Sequence, residues 1–207
     1  MIRTALILLN GELRGPREVR AAARASDAVI CADGGARHAA RLGVEPDYVV
    51  GDMDSAPRRP RAWRKAAYVV DSGTERSDLD KALAFARGLG VREAFVAGVL
   101  GGGLDHELVN LAALEEGARG LALTVIDGGR ARLLGPGRHR LLYKRGARFS
   151  LLAAPRARLT LTGARFALRD EPLARGSRGL GNSAAGRVVL TVSSGRVWAI
   201  DAGGFRG

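Results

Sequence analysis

The sequence predicts an α/β chain in which a parallel sheet covered by helices precedes a small antiparallel β domain. Three observations carry this. Up to residue 126, short apolar runs alternate with amphipathic ones, the pattern of strands and crossover helices. Beyond the turn Asp127-Gly128-Gly129 the helical period disappears, and short β-like runs are punctuated by Gly, Pro, Arg and Ser. Acidic residues also recur just after the apolar runs of the first half. The expected fold is a Rossmann-like three-layer domain over residues 1–127 and an antiparallel β-sandwich over 128–207.

The elements follow in order. Ala5–Leu9 reads as a first buried strand, and Pro16–Ala25 as a helix with proline in its first turn. Strands are expected at Ala28–Ala32, Tyr48–Val50 and Tyr68–Val70, with a short helix at Ala36–Leu42 and a Pro/Arg-rich stretch at Pro57–Lys65. Ser77–Leu89 is a strong helix: Leu79, Ala82, Leu83 and Ala86 share one face, and Ser77 with Asp80 fits a capping box. A strand at Ala94–Ala97, a helix at Asp105–Glu116 and a strand at Ala122–Ile126 complete the first half. In the second half, β runs are expected at Ala131–Leu134, Phe149–Leu152, Leu159–Thr162, Val188–Val192 and Val197–Ile200.

Composition narrows the function classes. The 207 residues are enough for a real core, and 46% are hydrophobic. No apolar run approaches the roughly 20 residues that span a bilayer, and the N-terminus lacks a cleavage pattern. The one cysteine, Cys31, rules out an internal disulfide framework and a multi-cysteine zinc site; a buried strand residue is the simpler reading. The expectation is a cytoplasmic protein with no membrane partner. A net charge of +12 suggests nucleic acid. However, lysine occurs only at Lys65, Lys81 and Lys144, and the arginines are dispersed except at Arg58, Arg59, Arg61 and Arg64. That is a chain-wide usage rather than a patch, so no nucleic-acid partner is expected. A basic surface serves equally to attract nucleotides.

The chemistry is expected at the carboxyl ends of the strands, where open α/β sheets bind ligands. Four loops bring carboxylates there: Asp33-Gly34-Gly35, Gly51-Asp52-Met53-Asp54-Ser55, Ser77-Asp78, and Gly101-Gly102-Gly103-Leu104-Asp105-His106. Such a cluster repels itself unless it holds a cation, and carboxylate oxygens suit Mg²⁺, which shares its shell with substrate phosphates. Glycines 34, 35 and 101–103 would let backbone N–H groups approach phosphate oxygens. Lys81, one turn after Asp78, would reach a phosphate as a point charge. Each residue also has a plainer reading: Asp33 as a turn residue, Asp78 and Asp105 as helix-start acids, Lys81 as a surface charge. Their convergence carries the argument. The sequence contains no P-loop, no dinucleotide fingerprint after the first strand, no H-E-x-x-H and no G-x-S-x-G.

These segments resemble thiamine pyrophosphokinase. Ala32-Asp33-Gly34-Gly35-Ala36, Pro46-Asp47 and Gly51-Asp52-Met53-Asp54-Ser55 match in order and spacing. Ser77-Asp78-Leu79-Asp80-Lys81-Ala82-Leu83 is similar to that family's T-D-x-x-K-A-L segment, and Gly101 through His106 with Asn110 to its G-G-R-x-D-H-x-x-x-N segment. The resemblance covers about residues 28–110, and more loosely the second half. It implies an ATP- and Mg²⁺-binding α/β domain, a β domain that helps hold the acceptor, a homodimer, and attack of the acceptor hydroxyl on the β-phosphorus with AMP leaving. By position, Asp52, Asp54 and Asp78 would be metal ligands, with Asp33 and Asp105 beside them and Lys81 on phosphate. Gly34, Gly35, Ser55, Gly101, Gly102, His106 and Asn110 would border the nucleotide. Phe166, Ser177 and Asn182 would contact the acceptor. Asp105 and Asp78 are both open as the general base.

The chain departs from the family at three places. The family's arginine in G-G-R-x-D-H is Gly103, its S-N-E is Gly181-Asn182-Ser183, and its Trp or Tyr after G-x-K is Phe166. The alternatives are a diphosphotransferase for another alcohol and a non-catalytic nucleotide-binding member.

Overall fold

A computed structural model describes residues 1–201; residues 202–207 of the expected second domain lie outside the described residues. The chain divides into two compact units, one ending at Gly128 and one beginning at Gly129.

The first unit contains β1 (Thr4–Leu8), α1 (Pro16–Ala25), β2 (Ala28–Ala32), α2 (Ala36–Leu42), β3 (Tyr48–Gly51), β4 (Ala67–Val70), α3 (Asp78–Gly88), β5 (Glu93–Ala97), α4 (Leu104–Gly117) and β6 (Ala122–Ile126). Its strands lie in the order β6-β5-β1-β2-β3-β4, and every neighbouring pair is parallel. The order turns at β1, which has β2 on one side and β5 on the other. All five residues of β2 are buried, as expected of a strand covered on both faces. Leu6, Leu8, Val29, Cys31 and Val49 pack with Val19 of α1 and Ala39 of α2 in one core. Cys31 is buried and free, and burial pushes its thiol pKa up, so it is an inert core residue.

Local sequence sets the helices. Pro16 opens α1 after Gly15, whose left-handed φ of 64° favours glycine. Gly43 ends α2 in the left-handed conformation. α3 carries the full capping box: the Asp80 N–H donates to Ser77 Oγ at 3.2 Å and the Ser77 N–H to Asp80 Oδ2 at 3.3 Å. Leu79, Ala82, Leu83 and Ala86 are buried along one face of α3. Burying each leucine contributes about 2 kcal/mol.

Among the described residues, the second unit consists of β strands apart from a 3₁₀ turn at Ser177–Gly179. It contains β7 (Arg130–Leu134), β8 (Gly137–Leu141), β9 (Arg148–Ala164), β10 (Leu168–Ala174) and β11 (Asn182–Asp201). β7 and β8 pair antiparallel with different parts of β11, and β10 pairs antiparallel with β9. β11 runs along β9 from Val189 opposite Thr162 to Asp201 opposite Phe149. Two pairs of expected strands are therefore single long ones: Phe149–Leu152 joins Leu159–Thr162, and Val188–Val192 joins Val197–Ile200. Pro155 and Gly195 sit between the halves of β9 and β11 respectively. Phe149, Leu151, Leu159, Leu161, Leu190 and Val197 form the unit's own core. No helix among the described residues is long and apolar enough to cross a membrane.

Candidate active site

A cavity of about 620 Å³ opens in the first unit where β1, β2, β3 and β5 end. The β2 end supplies Asp33, in a 3₁₀ turn with a left-handed φ of 41°. Its side chain is fully buried, and neither carboxylate oxygen makes a hydrogen bond of normal geometry. Burial raises its pKa to about 6; the neighbouring Asp52 carboxyl and the charge of Asp78 act in the same direction, and the Ser55 amide opposes them.

The β3 end supplies the other two acids. Met53 lies between them with φ 71°, and the Asp54 N–H donates to Asp52 Oδ1 at 3.2 Å. That bond, followed by the Asp33 carboxyl, lowers the Asp52 pKa. One carboxylate oxygen from each of Asp33, Asp52 and Asp54 lies within 4.8 Å of the others. Gly51 makes the approach possible, since a Cβ there would sit 2.8 Å from the Asp33 Cβ.

α3 supplies the cation. The Lys81 side chain is only 3% exposed, with Nζ 3.6 Å from Asp78 Oδ1 and 4.0 Å from Asp52 Oδ2. It is a buried counter-ion rather than a surface charge. Burial raises the Asp78 pKa and Lys81 opposes it.

The loop after β5 forms another wall. Gly102, Gly103, His106 and Asn110 line the cavity, and the Asn110 amide donates to the Val99 carbonyl at 3.0 Å.

The structure brings Asp33, Asp52, Asp54, Ser55, Asp78, Lys81, Gly102, His106 and Asn110 into this one region. It places others apart. Gly34 and Gly35 are buried against the end of β1: a Cβ at Gly35 would meet the Leu8 carbonyl at 2.0 Å, and one at Gly34 would meet Asn10. Both are closely packed there, and neither lines the cavity. Asp105 is exposed in the first turn of α4 and is not a lining residue. Gly101 borders a neighbouring cavity instead. Asp78 stands outside the carboxylate trio.

The lining residues that were not expected include Asn10, Gly11, Thr74 and Arg76. Asn10 and Gly11 follow the first strand directly, so the strand-end rule points to them once uncharged residues are admitted. Thr74 and Arg76 lie in the loop before α3 and carry no such signal.

In the second unit, the Phe166 ring is 58% exposed, with the Arg165 guanidinium 5.3 Å from its centroid; it is not a core residue. Asn182 is buried. Its Oδ1 accepts from the Phe166 N–H at 3.1 Å and the Ser183 N–H at 2.8 Å, and its Nδ2 donates to the Phe166 carbonyl at 2.8 Å. Ser177 is exposed in the 3₁₀ turn.

Known proteins sort this arrangement. The family model for the thiamin pyrophosphokinase catalytic domain matches residues 19–126. Among solved structures, thiamine pyrophosphokinase from Bacillus subtilis superposes with a TM-score of 0.80 at 23% identity, covering 96% of this chain and 98% of that one. Thiamin pyrophosphokinase from Geobacillus thermodenitrificans gives 0.80 at 21% identity, covering 98% and 99%. The Candida albicans enzyme gives 0.74 at 16% identity, covering 97% and 89%. A search of curated proteins finds no significant sequence match. The matched segment contains every strand end that borders the cavity except that of β1, and the chain belongs to the thiamin pyrophosphokinase family.

Proposed function

We propose that the chain is an ATP:thiamine diphosphotransferase, moving a diphosphate group from ATP to the thiamine hydroxyl and releasing AMP. The carrying observation is the trio Asp33, Asp52 and Asp54, one member wholly buried without a hydrogen bond of normal geometry, beside a buried lysine. Three carboxylates this close are unfavourable alone and fit a hard cation with oxygen ligands, Mg²⁺. In this reading Asp33, Asp52 and Asp54 hold the ion, and Asp78 stands beside it. When bound, Mg²⁺ would neutralise the triphosphate and stabilise charge that develops during transfer.

The protein groups do the remainder. Lys81 opposes the burial that raises the Asp78 pKa and holds Asp78 and Asp52 in place. The starts of α3 and α4 both border the cavity and add positive potential for phosphates. The acceptor hydroxyl oxygen bonds to the β-phosphorus. The bond from that phosphorus to the oxygen it shares with the α-phosphorus breaks, and AMP leaves with that oxygen. The hydroxyl proton passes to a carboxylate; Asp78 is assigned because it lines the cavity and Asp105 does not. The exposed Phe166 ring suits stacking on a flat heterocycle.

The reading includes a homodimer. Leu104, Leu108 and Leu111 are 72%, 61% and 44% exposed at positions that share one face of α4, a stripe suited to a second copy of the chain. Light scattering at the monomer mass of 21.8 kDa would remove that part.

Product analysis tests the reaction. Purified protein with ATP, Mg²⁺ and thiamine should form AMP and thiamine diphosphate together, and only with Mg²⁺. ATP binding with no product excludes thiamine as acceptor; the same assay with a panel of other alcohols then tests the second reading.

A further inference from the structure

We infer that Arg76 is the residue that receives the donor's phosphates in this cavity, an inference that rests on the diphosphotransferase reading. Among the described residues that line the cavity, Lys81 and Arg76 carry the lysine and arginine charges. The Lys81 ammonium is buried and committed to two carboxylates. Arg76 is placed differently. Its side chain is 50% exposed, and its ion pair is with Asp71 at 2.9 Å, itself 29% exposed. A half-exposed pair contributes little, so the guanidinium can exchange this carboxylate for a phosphate at small cost.

The loop fixes its place. The Asp71 N–H donates to the Gly51 carbonyl at 2.8 Å, anchoring the loop to the end of β3. Asp71 Oδ1 accepts from the Gly73 N–H at 3.1 Å, and Oδ2 holds Arg76. Arg76 therefore stands one residue before the Ser77 cap of α3, at a helix end that already favours anions. A planar guanidinium there can bind phosphate oxygens in pairs. The wall formed by Gly102 and Gly103 offers no side-chain cation. The arginine that the family's segment carries at position 103 is matched here by one on a different loop.

Position 103 also permits a swap. Gly103 has φ −69° and ψ 148°, open to any residue. A Cβ there would meet only the movable Asp105 Oδ1 closer than 3 Å.

The test is calorimetric titration of Mg·ATP into the full chain without thiamine, for wild type, Arg76→Gln, Arg76→Lys and Arg76→Gln/Gly103→Arg. Arg76→Gln should weaken binding about tenfold, the effect of losing one charge-assisted contact. Arg76→Lys should recover part of the loss. Reversal by Gly103→Arg, with an unchanged melting temperature in every variant, supports the assignment. Binding by Arg76→Gln within about twofold of wild type overturns it. Wild type that binds Mg·ATP but forms no AMP with thiamine or with any of the other alcohols would remove the transferase reading while leaving the Arg76 contact to be decided by these same titrations.

Discussion

The cavity rim of the first unit and the Phe166–Asn182 edge of the second treat buried polar groups in opposite ways. Asn182 is buried with both amide atoms bonded to backbone, so it closes a loop and asks for nothing more. Asp33 is buried with neither oxygen in a hydrogen bond of normal geometry. A buried polar group that is satisfied stabilises a scaffold; one left unsatisfied costs free energy and marks the place of something that binds. On that criterion the rim fits the cation proposed for it, while Asn182 is support for the exposed ring beside it.

The largest effect should come from the rim. Asp52→Asn or Asp54→Asn should lower turnover by at least about a hundredfold, with the circular dichroism spectrum unchanged. Near-normal rates with Mg²⁺ in either variant would erase the difference between the two regions.

An intermediate effect concerns pH. The Asp33 carboxyl holds its proton more tightly in the folded chain, with a pKa raised from 3.8 to about 6. It therefore favours the fold below the lower value, and that stability is lost as pH rises toward the higher one. Metal-free protein should lose melting temperature across this window relative to Asp33→Asn, and Mg²⁺ should restore it at neutral pH. Parallel pH curves for the two proteins would contradict the cost assigned to Asp33. Asparagine tolerates the left-handed backbone at this position.

The smallest effect belongs to the second unit. Phe166→Ala should change stability by no more than about 0.5 kcal/mol, as expected of an exposed side chain. It should raise the KM for the acceptor more than the KM for ATP. Equal changes in both would make the ring structural.

Legibility in the sequence followed the range of the interactions. α3 was readable because its cap is made by residues three apart, Ser77 and Asp80. The strands β1 and β2 were readable because four or more consecutive apolar residues announce burial on both faces. β8 and β10 were missed: Gly137–Leu141 and Leu168–Ala174 each bury a single residue, Leu141 and Leu173, and show no alternation. Their pairing comes from β11 and β9. Gly34 and Gly35 were expected to face phosphate, and only the structure shows that Gly35 packs on the Leu8 backbone and Gly34 on the Asn10 side chain.

The sequence by itself determined the α/β order, the helix caps and the acids at the strand ends, because propensity, capping and apolar runs act between near neighbours in the chain. The tertiary structure alone decided that Asp33 lies buried with Asp52 and Asp54, that Lys81 is enclosed between Asp78 and Asp52, that Asp105 stays outside, and that Arg76 borders the cavity. Those facts depend on which strands lie side by side, and burial and electrostatic coupling are properties of that neighbourhood rather than of any segment.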